Sequence, residues 1–185
     1  MAAPVVYTPR LKLRALLPTD AHDYARVIFR DPDVMRYLNA NGTVPPNPLA
    51  HALKVIERRR VEWATRGYSA WAVQSRADGT FLGHAGLYVI DNTDVIEIGY
   101  AVGQAYWGQG YATEAARAVL RYAFETIALD KLVAVAFPQN IGSERVMQKL
   151  GMTNMGITDR FYGLELTYYT MTRAQYEAQR TTPTS

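Results

Sequence analysis

The stretch IGYAVGQAYWGQGYATEAARAVLRYAF, from Ile98 to Phe124, constrains the fold of this chain more than any other. It reads as a strand, a loop with two glycines, and an amphipathic helix that begins abruptly. Ala112, Ala115, Ala116, Val119, Leu120, Ala123 and Ile127 recur at helical spacing as one small, apolar stripe. The first amides of a helix have no partner within it, and the helix dipole is positive at that end. Glycines 108 and 110, in the loop WGQGYAT, let such amides come close to a phosphate. The pattern predicts a cradle for a nucleotide-type pyrophosphate. The alternative is a tight strand-to-helix turn with no ligand. Two better-known phosphate loops are excluded. No G-x-x-x-x-G-K-[ST] occurs, and Gly108-Gln109-Gly110 runs on to Ala112 and Thr113 without the third glycine of a dinucleotide fingerprint.

The rest of the chain supplies a frame for that unit. RLKLRALL (10–17) alternates as a half-buried strand, and Pro18-Thr19-Asp20 ends it and caps a helix through Ala21, Tyr24, Ala25, Ile28 and Phe29. Asp31-Pro32 breaks that helix before a short VMRYL helix. Asn47-Pro48 then opens a longer one with Leu49, Leu53, Ile56 and Trp63 as its buried stripe. Its Lys54, Arg58, Arg59 and Arg60 read as a solvated face. Strands at 68–75, 80–90 and 95–102 form an antiparallel meander turned by Ala77-Asp78-Gly79. LVAVAFPQ, nearly continuous in apolar residues, reads as a strand buried on both faces, a parallel neighbour reached by the helical crossover. Asn140 caps the helix IGSERVMQKL and Gly151 stops it. Strands near 153–160 and 164–172 follow, then a short helix and a frayed TTPTS end. The prediction is a single α+β domain built on one mixed, mostly antiparallel sheet of about seven strands, with helices on both faces.

At 185 residues, 49% apolar and 20% charged, the chain suits one globular domain. A net charge of +3 is far from that of a dedicated nucleic-acid binder, and no nucleic-acid partner is expected. The absence of cysteine excludes disulfides, a thiol nucleophile and cysteine-held metals. His22, His51 and His84 show no metal spacing, so no metal is expected. No long apolar run suggests a leader or a membrane span, and a cytoplasmic protein is the expectation.

The elements TPRLKLRALLPTD, DPDVMRYL, LGHAGL, IEIGYAVGQAYWGQGYATEA and NIGSERVMQKLGM, in that order, resemble the GNAT superfamily of acetyl-CoA-dependent N-acetyltransferases. More narrowly they resemble its Rim-type branch, which includes enzymes acetylating ribosomal-protein N-termini. The resemblance implies a GNAT domain over 8–178, with 179–185 as a frayed tail. The family's loop is written [QR]-x-x-G-x-[GA]. Gly110 and Ala112 fill its last two positions, while Trp107 replaces Gln or Arg, as is familiar in the Rim-type branch. By this resemblance, Trp107, Gly108, Gln109, Gly110, Tyr111, Ala112 and Thr113 would cradle the acetyl-CoA pyrophosphate, chiefly through the amides of 109–113. Strands 95–102 and 132–138 would part to admit the pantetheine arm along Tyr100, Ala101 and Val102. The Val102 amide would face the thioester oxygen, and Asn140 and Ser143 would meet the arm from the other side.

Acetyl transfer needs a neutral amine, an oriented thioester and a proton for the departing thiolate. A peptide α-amine, with a pKa near 8, is partly neutral at pH 7, so a modest base suffices. Glu97 stands in the otherwise apolar Val95-Ile96-Glu97-Ile98, where burial would raise its pKa into a useful range; the alternative is a carboxylate facing solvent. Many relatives carry a tyrosine acid on the helix after Asn140, but Met147 aligns there. Ser143, on the same helix face as Asn140, could relay the proton or serve only as a local cap. His84 could reach an acceptor cleft or be an ordinary strand histidine. Tyr162, Tyr168 and Tyr169 crowd the last hairpin. Where Rim-type relatives often carry Asp-His, this chain has Glu165-Leu166.

Three functions compete. The first is acetylation of a protein or peptide N-terminal amine. The second is acetylation of a small amine such as an aminoglycoside or polyamine, though the sequence lacks the acidic cluster a polycation favours. The third is a non-catalytic acyl-CoA-binding module. The chain would act as a monomer or homodimer, with no membrane partner.

Overall fold

The computed structural model describes residues 3–181. Its strands are β1 (Val6–Tyr7), β2 (Leu11–Ala15), β3 (Ala70–Ser75), β4 (Phe81–Val89), β5 (Ile96–Val102), β6 (Lys131–Ala136), β7 (Thr153–Thr158) and β8 (Leu166–Thr172). They form one sheet of eight strands in the order β1-β2-β3-β4-β5-β6-β8-β7. One more strand is present than expected, because Val6 and Tyr7 pair with Leu13 and Lys12 at the N-terminal edge. Every pairing is antiparallel except β5 with β6.

Helices cover both faces. On one side lie α1 (Ala21–Tyr24, continued by a π-helical turn Ala25–Phe29) and α3 (Pro48–Arg66), packed over Ala70, Ala72, Phe81 and Ala101. On the other, α4 (Tyr111–Arg121, continued by a π-helical turn Tyr122–Thr126) and α5 (Ile141–Lys149) lie over Leu11, Trp71, Leu87, Ile98 and Leu132. The short α2 (Pro32–Met35) is capped by the Asp31 side chain. The last helix, α6 (Arg173–Thr181), runs three residues into the expected tail and is tied by the Gln179 side-chain amide to the Gly151 carbonyl at 2.8 Å. Residues 182–185 lie outside the described residues. Among the described residues, no helix is long and apolar enough to cross a membrane.

Asn47 caps α3 as its sequence predicts, its side chain accepting from the Ala50 amide at 3.0 Å. The buried stripe of that helix is rotated from the expected one. Ala52, Val55, Ile56 and Trp63 face inward while Leu53 is exposed. The rotation turns Arg59 into the protein with only 14% of its side chain accessible, whereas Lys54, Arg58 and Arg60 stay in solvent. Arg59 is therefore not part of a solvated face. Trp63, Trp71 and Tyr122 lock α3, β3 and the end of α4 together edge to face.

The feature that positions the site is the parting of β5 and β6. They share one register pair, Glu97↔Val133, although each strand has six or seven residues. Gly103 N donates to Leu82 O and Ile90 N to Val95 O, both at 2.9 Å. These bonds make Gly83↔Val102 and Val89↔Ile96 non-hydrogen-bonded pairs of the β4–β5 ladder. The amides of Ile98, Tyr100 and Val102 therefore turn away from β4, toward β6. The bridge at Glu97↔Val133 engages Ile98, and beyond it β6 is no longer paired with Tyr100 and Val102. A gap lined by main-chain donors and acceptors opens there.

Candidate active site

At the mouth of the gap lies the loop the sequence singles out. Gly110 occupies the N-cap of α4 with φ +81°, a left-handed conformation that favours glycine. No side chain caps this helix, and its first internal bond runs from the Glu114 amide to the Gly110 carbonyl. The amides of Tyr111, Ala112 and Thr113 thus lack helical partners. Trp107 is 44% exposed as a residue and donates from Nε1 to the Val102 carbonyl at 2.8 Å, tying the loop to the end of β5. The Gln109 side chain donates to the Ala105 carbonyl at 2.9 Å.

Arg10, which sequence reasoning missed, braces this loop from the far side. It donates to the Gln109 carbonyl at 2.9 Å and to the Glu114 carboxylate at 2.6 Å, and stacks over the Tyr111 ring at 4.4 Å. Burial raises the pKa of Glu114, but hydrogen bonds from Thr8 and Arg10 outweigh it and hold that carboxyl below its ordinary value. Glu114 is therefore ionised and fixes the N-terminal segment against α4.

Along the gap, Tyr100 and Val102 present their amides as described, but Ala101 does not. Its main chain pairs with His84 on β4 and its methyl is buried among the α1–α3 cluster. Asn140 spends its side-chain oxygen on the Ser143 amide at 3.0 Å, capping α5. Ser143 Oγ lies 3.1 Å from the Tyr100 hydroxyl, which also donates to the Ser143 carbonyl at 3.1 Å. Met147 is fully buried in the core beneath α5, so the position aligned with the family's tyrosine offers no proton donor. A phenol is present nonetheless, contributed by β5. Burial pushes its pKa up and the hydrogen bond with Ser143 opposes that, so it is fully protonated. The strand alternation that puts Tyr100 and Glu97 on opposite faces was the sequence signal for it.

On the other face, Glu97 stands at the apex of the gap beside Tyr88, its cross-strand partner. Burial pushes its carboxyl up to about 7, against the pull of a 2.6 Å hydrogen bond from the Tyr162 hydroxyl. Tyr162 sits in the β7–β8 connection with φ +59°. His84 meets the Tyr24 hydroxyl at 3.1 Å, and burial, with Arg59 adding to it, holds its pKa down to about 3. It is a neutral core histidine. Among the described residues, no cluster of His, Asp and Glu is arranged to hold a metal ion.

Comparison with known proteins agrees with this geometry. The family model described as an acetyltransferase (GNAT) domain matches residues 10–153. An uncharacterized protein of Bacillus subtilis, YkkB, is 36% identical over 78% of this chain and 83% of its own length. The FsC-acetyl coenzyme A-N(2)-transacetylase of Aspergillus fumigatus is 31% identical over 83% of this chain and 67% of its own. Among solved structures, an acetyltransferase from Agrobacterium tumefaciens superposes with a TM-score of 0.76 at 26% identity, covering 92% of this chain and 95% of the other.

Proposed function

The chain belongs to the GNAT acetyltransferases, and from that premise we propose that it moves the acetyl group of acetyl-CoA directly onto the α-amine of a protein or peptide N-terminus, in a ternary complex. The observation that carries this reading is the pairing of an uncapped α4 N-terminus with a strand gap whose amides turn inward. A diphosphate followed by an extended, amide-bearing arm fits both. The amides of Tyr111, Ala112 and Thr113 hold the pyrophosphate, and those of Tyr100 and Val102 meet the arm. The Val102 amide donates to the thioester oxygen, where charge builds as the amine attacks. Trp107 keeps loop and strand in register for this.

Glu97 takes the amine proton. With its pKa near 7, it is matched to an α-amine that is already partly neutral. Tyr100 and Ser143, in mutual contact, return a proton to the leaving sulfur. The Rim-type assignment rests on Trp107 in the loop. The name of the Aspergillus relative, a transacetylase using acetyl coenzyme A, supports the donor. The sequence offers no obvious acidic cluster of the kind the polycationic acceptors of the second reading favour.

The test is a panel of peptides, polyamines and aminoglycosides incubated with acetyl-CoA, followed by free-thiol release and product mass. Acetylated peptide α-amines are expected. Tight coenzyme A binding with no product on any amine would instead establish a non-catalytic module. In the same assay Tyr100→Phe and Ser143→Ala should each lower kcat about 10–100-fold, with KM for acetyl-CoA held. Unchanged kcat in both would remove this pair from the proton path.

A further inference from the structure

Tyr162 has a left-handed backbone, φ +59°, and is followed by Gly163 at φ +64°. That region favours glycine, and a bulky side chain held there is strained. Burial offsets little of this, because the residue is 49% exposed. The turn around it is nonetheless fixed. Phe161 is buried, its ring centre 5.5 Å from that of Tyr168 on β8, and the Leu164 amide donates to the Phe161 carbonyl at 3.2 Å. What this strained turn delivers is one polar contact, the Tyr162 hydroxyl donating to Glu97 Oε2 at 2.6 Å.

Glu97 is only half-buried as a residue, so an acceptor can meet it beside the phenol. A hydroxyl on one carboxylate oxygen has two effects. It fixes the rotation of the carboxylate, and it favours the ionised form, because an O–H bonds a charged oxygen more strongly than a neutral one. Burial drives Glu97 toward its neutral acid, and the Tyr162 bond opposes it. The other neighbours do not titrate near neutrality. Tyr88 stands opposite on β4, the apolar Val133 opposite on β6, and Tyr100 lies on the same strand. Burial raises the pKa of all three phenols. Arg59 of α3 and Asp91 between β4 and β5 act on the Tyr162 phenol with opposite signs.

Resting on the transfer reaction proposed above, we infer that Tyr162 is a positioning residue for it, its hydroxyl holding Glu97 Oε2 so that Oε1 meets the acceptor amine in one orientation. As the amine nitrogen bonds to the thioester carbon, its proton passes to Oε1, and Tyr162 keeps its own. The same bond keeps a larger share of Glu97 ionised near neutrality.

The test compares the full-length protein with Tyr162→Phe, which keeps the ring and removes the donor. The first readout needs no acceptor. Glutamate is labelled with carbon-13 at the side-chain carboxyl, and the Glu97 signal is the one missing from Glu97→Gln. Its titration midpoint by NMR should lie at about 7 in the parent. In Tyr162→Phe it should lie about one pH unit higher, since a hydrogen bond to a charged group is worth that much. The second readout is the pH profile of kcat/KM with acetyl-CoA and a C-terminally amidated alanine pentapeptide. Its rising limb should move up with the midpoint, so that Tyr162→Phe loses about tenfold at about pH 6.5 and much less above about pH 9. KM for acetyl-CoA should stay at the parental value. Tyr162→Gly, which the left-handed backbone accepts, should move both readouts the same way and covers the case of a loop disturbed by the phenylalanine ring.

An NMR midpoint unmoved in both variants overturns the inference. So does a loss by one factor at every pH, which marks a merely structural role, or a rate profile that stays put while the midpoint moves. If Glu97→Gln flattens the profile in that case, Glu97 remains the base and only the role of Tyr162 falls. If Glu97→Gln keeps the parental profile, or the pentapeptide is never acetylated, the transfer reading falls and this inference with it.

Discussion

Glu97→Gln is expected to lower kcat/KM about 10²–10³-fold and to abolish the part of its pH dependence centred near pH 7. The sign follows from burial. The folded protein favours the protonated carboxyl, so the basic form appears only as pH rises through about 7. The wild-type rate should climb across that range. The variant should follow only the amine's own ionisation, about one unit higher. The groups facing Glu97 are Tyr88 from β4 and Tyr162 from the β7–β8 connection. Burial and the Glu97 charge itself both raise the pKa of each of these phenols, so neither titrates in that window.

The same shift has a consequence for stability. A carboxyl whose folded pKa exceeds its ordinary 4.5 supports folding fully below that value and loses the contribution as pH rises toward about 7. Melting temperature should therefore fall between those limits in the wild type and stay flatter in Glu97→Gln, where the amide can still meet Tyr162. A variant with the parental pH–rate profile and the parental melting curve would clear Glu97 of the base role.

The second large effect is expected at the cofactor loop. Ala112→Asp places a carboxylate at the second residue of α4, among the amides assigned to the pyrophosphate. At about 4 Å and an effective dielectric near 20, two like charges repel by about 4 kcal/mol, so affinity for acetyl-CoA should drop at least a hundredfold. The same charge sits favourably on an uncapped helix start and should stabilise the ligand-free protein by about 0.3–1 kcal/mol. Weaker binding together with unchanged or higher urea resistance cannot come from misfolding. Calorimetry showing parental affinity would move the pyrophosphate elsewhere.

Much of this molecule was legible in local pattern. The strand–loop–helix unit, the Asn47 and Asn140 caps and the doubly buried β6 all follow from periodicity and capping chemistry, which act over a few residues. What the sequence concealed depends on which way a helix or strand face is turned once packed. Arg59 reads as one of four cations on α3, yet Ala52, Ile56 and Trp63 at spacings of three and four already place it on the inner stripe. The same holds for Tyr100, whose ring reaches α5, a partner 43 residues away that no local pattern reveals. Tyr162 reads only as one of three tyrosines crowding the last hairpin, because nothing near it in sequence announces Glu97, 65 positions earlier.

The Arg10 brace has an implication for how the enzyme comes into being. Its bonds to Gln109 and Glu114 join positions 99 and 104 residues apart. Contacts of such separation close the largest loops in a chain and lengthen the search for the native state. A fragment starting after β2 would carry both glycines and the whole of α4, yet leave Glu114 without its guanidinium. During synthesis the turn at Gly110 emerges well after Arg10, so β1 and β2 can pair with each other and then with β3, yet the brace itself closes only once Gln109 and Glu114 have arrived.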